Sequence, residues 1–301
     1  MKQKVLVVVG PTASGKSALG VKLAQRFNGE IISADSRQVY RSLDIGTGKI
    51  TKREMRGIPH HLLDVASPKR AFSAGDYVKH ATRAVENIAT QGKLPIVVGG
   101  TGFYIDALLG RITLSEVPPD AKLRGRLTGK SAAQLYAMLE RSDRERAKRM
   151  DTPSERNNKV RLIRALEIAR SGGSAASHPR RPYGYDVLWI GVRPNDTDLK
   201  RRINTRLKQR IRAGMVQEAK RLHKTGLSYK RMHELGLEYR ALARLLQGKI
   251  SRSNLGMELQ SDIWRYARKQ IGYWKRNKDI HWFRLSDTKK IEAAIRQWLL
   301  K

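Results

Sequence analysis

Five apolar residues, Val5 to Val9, run directly into Gly10-Pro11-Thr12-Ala13-Ser14-Gly15-Lys16-Ser17. A buried strand, a glycine-rich turn and a helix opening near Lys16 form a phosphate-binding loop, and Gly10, Gly15, Lys16 and Ser17 satisfy the Walker A spacing. The glycines let backbone N–H groups turn inward on an anion, and the helix N-terminus adds its positive dipole end. Lys16 can reach terminal phosphates, and the Ser17 hydroxyl can ligate Mg²⁺. A simple tight turn would require neither side chain. The segment Gly10 to Ser17 is therefore expected to hold a diphosphate or triphosphate, and it commits the chain to a strand–loop–helix start.

The pattern after it is consistent with an α/β fold. The sequence predicts a strand over 4–9, a helix over 16–27 and a second strand over 30–33. Ser73 and Asp76 have the spacing of a capping box for a helix running to about Thr90. A further strand over 94–98 ends in Gly99-Gly100-Thr101-Gly102. Apolar strands separated by helices imply a parallel sheet covered on both faces. Punctuation at Val117-Pro118-Pro119-Asp120 is followed by short basic helical stretches around 131–141, 143–149 and 156–170. Residues 171–185, rich in Gly, Ser, Pro and Arg, read as a mobile connector. The apolar run 187–192 then reads as a strand returning to the sheet. The expected architecture is a P-loop NTPase-like parallel sheet core flanked by helices, with an inserted small helical domain. Its parts are core over 1–111, insert over 112–186, and return to core with basic helices over 187–301.

Charge narrows the choice of partners. Sixty-one Lys and Arg stand against 27 Asp and Glu in 301 residues, a formal net charge of +34. Residues 1–110 carry 16 basic and 8 acidic side chains, whereas 111–301 carry 45 and 19. Such an excess repels itself, and a polyanion, best a nucleic acid, is the natural partner. Leu199, Ile203, Leu207 and Ile211 recur as a core stripe, with Arg202, Arg206 and Arg210 beside them. Near the C-terminus Trp264, Ala267, Ile271 and Trp274 share one helix face, and Arg265, Arg268, Lys269 and Arg276 share another. The charged faces are expected to meet the polyanion, although any single arginine could merely be solvated. There are no cysteines, which excludes disulfides and thiol catalysis. The first apolar run is too short for a signal peptide or a membrane span, so a cytoplasmic protein with no membrane partner is expected.

Phosphoryl-transfer P-loop enzymes usually carry an acid at a strand end to help hold Mg²⁺. Here the strand over 94–98 ends in Gly-Gly-Thr-Gly instead. The first acid after the second strand is Asp35, in Ser33-Ala34-Asp35-Ser36-Arg37-Gln38. Strand C-termini face the ligand crevice in such sheets, which puts Asp35 and Thr101 near the phosphate loop. Asp35 could equally cap a turn.

At this point the chain resembles a known family. The segments 10–17, Ile32 to Tyr40, Asp44 to Lys49, Pro59 to Asp64 and Val98 to Tyr104, in that order, resemble those of the tRNA dimethylallyltransferases, also called tRNA isopentenyltransferases. The likeness continues through Arg161 to Glu167, Arg202 to Arg206 and Gly236 to Arg240, covering nearly the whole chain. It implies transfer of a dimethylallyl group from its diphosphate ester to N6 of an adenine next to the tRNA anticodon. Partners would then be the tRNA anticodon stem-loop and dimethylallyl diphosphate, the cofactor Mg²⁺ held at Ser17, and the protein a monomer. By the same matching, Asp35 accepts the N6 proton, Thr101 contacts substrate, and Lys16 and Arg206 serve the donor diphosphate. Ser36, Arg37 and Gln38 would read the target nucleotide. Lys122, Arg124, Lys159, Val160, Arg161, Leu162, Ile163 and Arg164 would meet tRNA. The target base must leave its stack to reach a buried site.

Two departures stand out. Val160-Arg161 replaces the family's commoner Gln-Arg or Arg-Arg, and Gly236 to Arg240 differs from the usual Ile/Val-Gly-Tyr-Lys/Arg segment. His60-His61 matches the family, but neighbours on an extended chain point apart and make a poor metal site. Three other readings remain open from the residues. One is an adenylate-prenylating relative that needs no RNA. Another is an RNA-binding P-loop NTPase or nucleotide kinase, which ATP alone would reveal through phosphate release. The third is a non-catalytic nucleic-acid-binding protein.

Overall fold

The computed structural model describes residues 2–172 and 184–301. The chain divides into two compact units, Met1–Leu109 with Tyr183–Lys301, and Gly110–Pro182. In the first unit the N-terminal part runs β1 (Gln3–Val9), α1 (Lys16–Arg26), β2 (Gly29–Ala34), α2 (Lys52–Met55), β3 (His60–His61), α3 (Ala74–Thr90), β4 (Leu94–Gly99) and α4 (Gly102–Leu108). The second unit holds α5 (Ala121–Thr128), α6 (Ala132–Ser142), α7 (Arg144–Arg149), α8 (Pro153–Arg156) and α9 (Lys159–Arg170). The first unit resumes with β5 (Tyr185–Val192), α10 (Asp196–Arg212), α11 (Met215–Lys224), α12 (Tyr229–Leu235) and α13 (Leu237–Leu246). It closes with α14 (Arg252–Trp274), β6 (Ile280–Phe283) and α15 (Thr288–Leu299).

The six strands form one parallel sheet in the order β3-β2-β4-β1-β5-β6. Val5 to Val9 are fully buried, which is why β1 can be apolar at every position and still sit at the centre. One face packs Leu6, Val8, Ile96 and Ile190 with Leu19 and Leu23 of α1 and Ile291 and Ile295 of α15. A separate core gathers Leu199, Ile203 and Leu207 of α10 with Leu242 of α13 and Ile263 and Ala267 of α14. Ile211 and Trp264 are only partly buried against that core, so each expected apolar stripe loses one member to the surface. Ser73 and Asp76 do form the capping box that opens α3.

Register fixes the site. Val9 pairs with Gly99, and Gly99 with Ala34. The phosphate loop, the Asp35 turn and the Gly100-Thr101 turn therefore leave three adjacent strands at one level. Strands β3 and β6 escaped the sequence reading, as did helices α2, α4, α5 and α8. β3 is only two residues long, β6 is a short edge strand, and α5 has just two buried leucines to give it a period. β5 begins at Tyr185 rather than 187, because Tyr185 and Asp186 pair with Gln3 and Lys4. Most of the connector expected over 171–185 lies outside the described residues.

The second unit has its own core of Leu123, Leu127, Leu135, Leu139, Leu162 and Leu166. No helix among the described residues is long and apolar enough to cross a membrane.

Candidate active site

The phosphate loop is held open by its own backbone. Gly15, with φ of 94°, sits at the N-terminus of α1 in the left-handed region that disfavours side chains. A Cβ there would also lie 2.8 Å from Leu285. Ser14 N–H donates to Pro11 O at 3.2 Å and Thr12 N–H donates to Gln270 Oε1 at 2.8 Å. The N–H groups of Ala13, Gly15, Lys16 and Ser17 have no acceptor among the described residues. Four free donors at a helix N-terminus make a ready anion cradle.

Two cations complete it. Lys16 Nζ donates to Pro11 O at 3.1 Å, and neither Lys16 nor Arg206 forms an ion pair with a described carboxylate. Both line a cavity of about 330 Å³ in the first unit. Burial pulls the Lys16 amine down to about 8, the Asp35 carboxylate resists that pull, and Arg206 adds to it. Arg206 is lowered too, by burial and then by Arg210. The residue as a whole remains exposed. Two unneutralised cations facing one cavity are unfavourable until an anion arrives.

The arginine stripe of α10 thus serves several ends. Arg202 Nη1 approaches Ser14 O at 3.4 Å, and Arg210 donates to Ile45 O at 2.8 Å, to Gly46 O and to Glu238 Oε1 at 2.9 Å. Arg202 bonds to a phosphate-loop carbonyl, and Arg210 bonds to two loop carbonyls and pairs with Glu238. Only Arg206 turns its charge into the cavity. The loop that Arg210 holds is clamped from below by Glu218, which is 3% exposed. Its carboxylate accepts the N–H groups of Asp44, Ile45 and Gly46 at 3.0, 2.7 and 2.8 Å, and the Tyr239 hydroxyl at 2.8 Å. Thr47 and Gly48 at the end of this loop line the cavity.

Asp35 lines the same cavity. Its Oδ1 accepts the N–H of Arg37 at 2.8 Å and of Gln38 at 3.3 Å, so the turn-cap reading holds for that oxygen. Oδ2 makes no hydrogen bond to a described residue, and Asp35 lines the cavity. One oxygen fixes the carboxylate and the other remains available, so capping and proton acceptance are compatible. Thr101 Oγ1 accepts Ser36 N–H at 3.0 Å, which locks the Asp35 turn to the end of β4. Ser36, Arg37 and Gln38 line the same cavity.

Sequence reasoning missed the wall supplied by α14. Ile263, Tyr266 and Gln270 fall at i, i+3 and i+7 and all line the cavity. Burial and the Asp35 carboxylate push the Tyr266 hydroxyl above its ordinary value, keeping it a proton donor. The signal was present as an uncharged face on an otherwise basic helix. It was masked by the stronger apolar face beside it. His60 and His61 do point apart: His60 lines the cavity and its Nδ1 lies 2.8 Å from Ile58 O, whereas His61 Nε2 lies 2.7 Å from Glu30 Oε2.

The second unit holds the remaining candidates, and it uses them unequally. Lys122, Lys159, Arg161 and Val160 are exposed, Arg161 pairing with Glu155 at 3.3 Å. Leu162 is fully buried and Ile163 packs against the same core, so these two side chains serve packing rather than a surface. Arg124 makes a two-pronged contact with buried Glu167 at 2.6 and 2.9 Å, and Arg164 adds a third bond at 3.0 Å. Burial alone would raise the Glu167 carboxyl, but these donors and the Asp120 N–H hold it below the usual range.

The sequence profile of the family described as IPP transferase matches residues 38–278. A tRNA dimethylallyltransferase of Leuconostoc citreum is 38% identical over 98% of this chain and 99% of its own. This chain belongs to the tRNA dimethylallyltransferase family. Another member, tRNA dimethylallyltransferase 2 of Citrifermentans bemidjiense, is 43% identical over 90% of this chain and 86% of its own. Among solved structures, the full-length tRNA isopentenylpyrophosphate transferase of Bacillus halodurans superposes with a TM-score of 0.74 at 33% identity, covering 99% of this chain and 97% of that one. A eukaryotic dimethylallyltransferase acting on tRNA gives 0.79 at 26% identity, covering 94% and 74%.

Proposed function

We propose that this dimethylallyltransferase moves a dimethylallyl group from dimethylallyl diphosphate to N6 of adenine 37 beside the tRNA anticodon. The observation that carries the reading is the cavity itself. Lys16, Ser17 and Arg206, which can serve a diphosphate, and Asp35, whose Oδ2 is available, all line it. In the reaction the N6 nitrogen bonds to C1 of the dimethylallyl group and the C1–O bond to diphosphate breaks. The N6 proton passes to Asp35 Oδ2, and diphosphate leaves. Negative charge grows on the leaving group, where Lys16, Arg206 and the amides of Ala13, Gly15, Lys16 and Ser17 are already aimed. Their preorganisation suits departure of a diphosphate without any water to position, so no acid is needed at the end of β4.

The site also fits Mg²⁺. The Ser17 hydroxyl is exposed at the first turn of α1, and no cluster of three acids or histidines competes for the ion among the described residues. Mg²⁺ keeps waters and binds substrate phosphates readily, so one hydroxyl ligand suffices. When bound it would neutralise charge on the departing diphosphate.

The exposed cations of the second unit and of α14 support tRNA as the acceptor. A cytoplasmic monomer is the form this reading assumes. Mass spectrometry of nucleosides from tRNA incubated with the protein, dimethylallyl diphosphate and Mg²⁺ tests it. Adenosine carrying one added C5H8 unit is expected. Unmodified tRNA, or phosphate release from ATP alone, would contradict it.

A further inference from the structure

Gln270 lies at the cavity wall and uses both ends of its amide. Oε1 accepts Thr12 N–H at 2.8 Å, and Nε2 donates to Gly100 O at 3.0 Å. The residue is 6% exposed. Its two partners belong to different halves of the site. Thr12 is part of the phosphate loop after β1. Gly100 follows β4 and precedes Thr101, whose hydroxyl holds Ser36 beside Asp35. A Cβ at Gly100 would lie 2.2 Å from Gln270 Nε2, so this approach requires glycine there. The amide has one workable orientation, since flipping it would set NH₂ against N–H and oxygen against oxygen.

We propose that Gln270 is a positioning residue that holds the donor loop in register with the acceptor turn. The inference rests on the transferase reading above. Gln270 acts through Thr12 and Gly100. By occupying the Thr12 amide, it also leaves the diphosphate to the four amides farther along the loop. A single buried side chain joins the loop that fixes the dimethylallyl C1 to the turn that fixes the base. Its loss should misalign the two reactants more than it weakens either one's binding. Misplacement of reacting groups by about 1 Å costs on the order of 10²-fold in rate.

Two variants test this. Gln270→Met keeps the volume and removes both bonds. Single-turnover transfer with saturating donor and tRNA should fall about 10–100-fold, while affinity for inorganic pyrophosphate changes only a few-fold. Gln270→Glu keeps an acceptor for Thr12 N–H but sets a carboxylate oxygen against Gly100 O. Protonation converts that oxygen to a donor, so the deficit relative to wild type should shrink as pH falls. A purely structural role would give parallel pH profiles, and the Glu variant carries the test if the Met variant does not fold. A Met variant at the wild-type rate, a loss explained wholly by weaker pyrophosphate binding, or a Glu variant whose profile parallels wild type overturns the inference. Wild-type protein that yields no prenylated adenosine overturns the transferase reading instead.

Discussion

Lys16 and Arg206 in the first unit, and Arg124 and Arg164 in the second, are all basic residues that sequence similarity assigns to anionic substrates. The structure treats the two pairs differently. Arg124 and Arg164 surround the carboxylate of Glu167 and already hold their anion. Lys16 and Arg206 face a cavity with no carboxylate paired to either. Paired cations contribute to the fold, whereas unpaired cations in a cavity await a ligand. A net charge of +34 counts both kinds alike.

The sharpest way to break this contrast is Lys16→Ala. Transfer should fall by orders of magnitude while tRNA affinity changes little, because only the donor loses its point charge. Near-normal turnover would remove the phosphate loop from the mechanism. Asp35→Asn comes next. Asn can still cap the turn, so folding and tRNA binding should survive. Removal of a general base costs typically about 10²–10⁴-fold, measured by single turnover with both substrates saturating. A rate within a few-fold of wild type would leave leaving-group activation as the main source of catalysis.

Arg124→Ala probes the other side of the comparison. Glu167 would keep Arg164 but lose its two-pronged partner, and Arg124 is itself partly solvated. A loss of about 1–3 kcal/mol in stability of the second unit is expected by denaturant melting. It should grow milder on acidification, because a depressed carboxylate pKa stabilises above the unfolded value and that contribution vanishes as pH falls through the folded one. Unchanged stability with weakened tRNA binding would mean that Arg124 is a free cation after all. The smallest effect is expected on the exposed face of α14. Neutralising Arg265, Arg268 and Lys269 together should weaken tRNA binding and flatten its salt dependence, since each phosphate contact releases counterions. Arg265 already pairs with Asp262, so its share should be the least of the three.

The phosphate loop, the capping box of α3 and the apolar central strands were legible because each depends on local spacing. Asp35 and Thr101 were legible because strand C-termini in a parallel sheet share an edge. Gln270, Tyr266 and Glu218 were not. Their roles come from partners about 165 to 260 residues away, and no periodicity announces such a contact. Similarity carries positions across without showing which side chains face inward, so it named Leu162, which is buried, beside Arg124 and Arg164, which also bond to Glu167. The i, i+4 arginine stripe of α10 was legible from its spacing, but the bonds that two of its members make to loops were not.

Lys16 has no ion-pair partner among the described carboxylates and gains one when a diphosphate binds. NMR titration of the lysine side-chain carbons, assigned with Lys16→Arg, measures this directly. Free protein should show a Lys16 pKa of about 8, and inorganic pyrophosphate should raise it. Pyrophosphate affinity should accordingly weaken as pH climbs through 8, where the free amine loses its proton. An ordinary lysine value in the free protein, unmoved by pyrophosphate, would mean that Lys16 does not await a diphosphate.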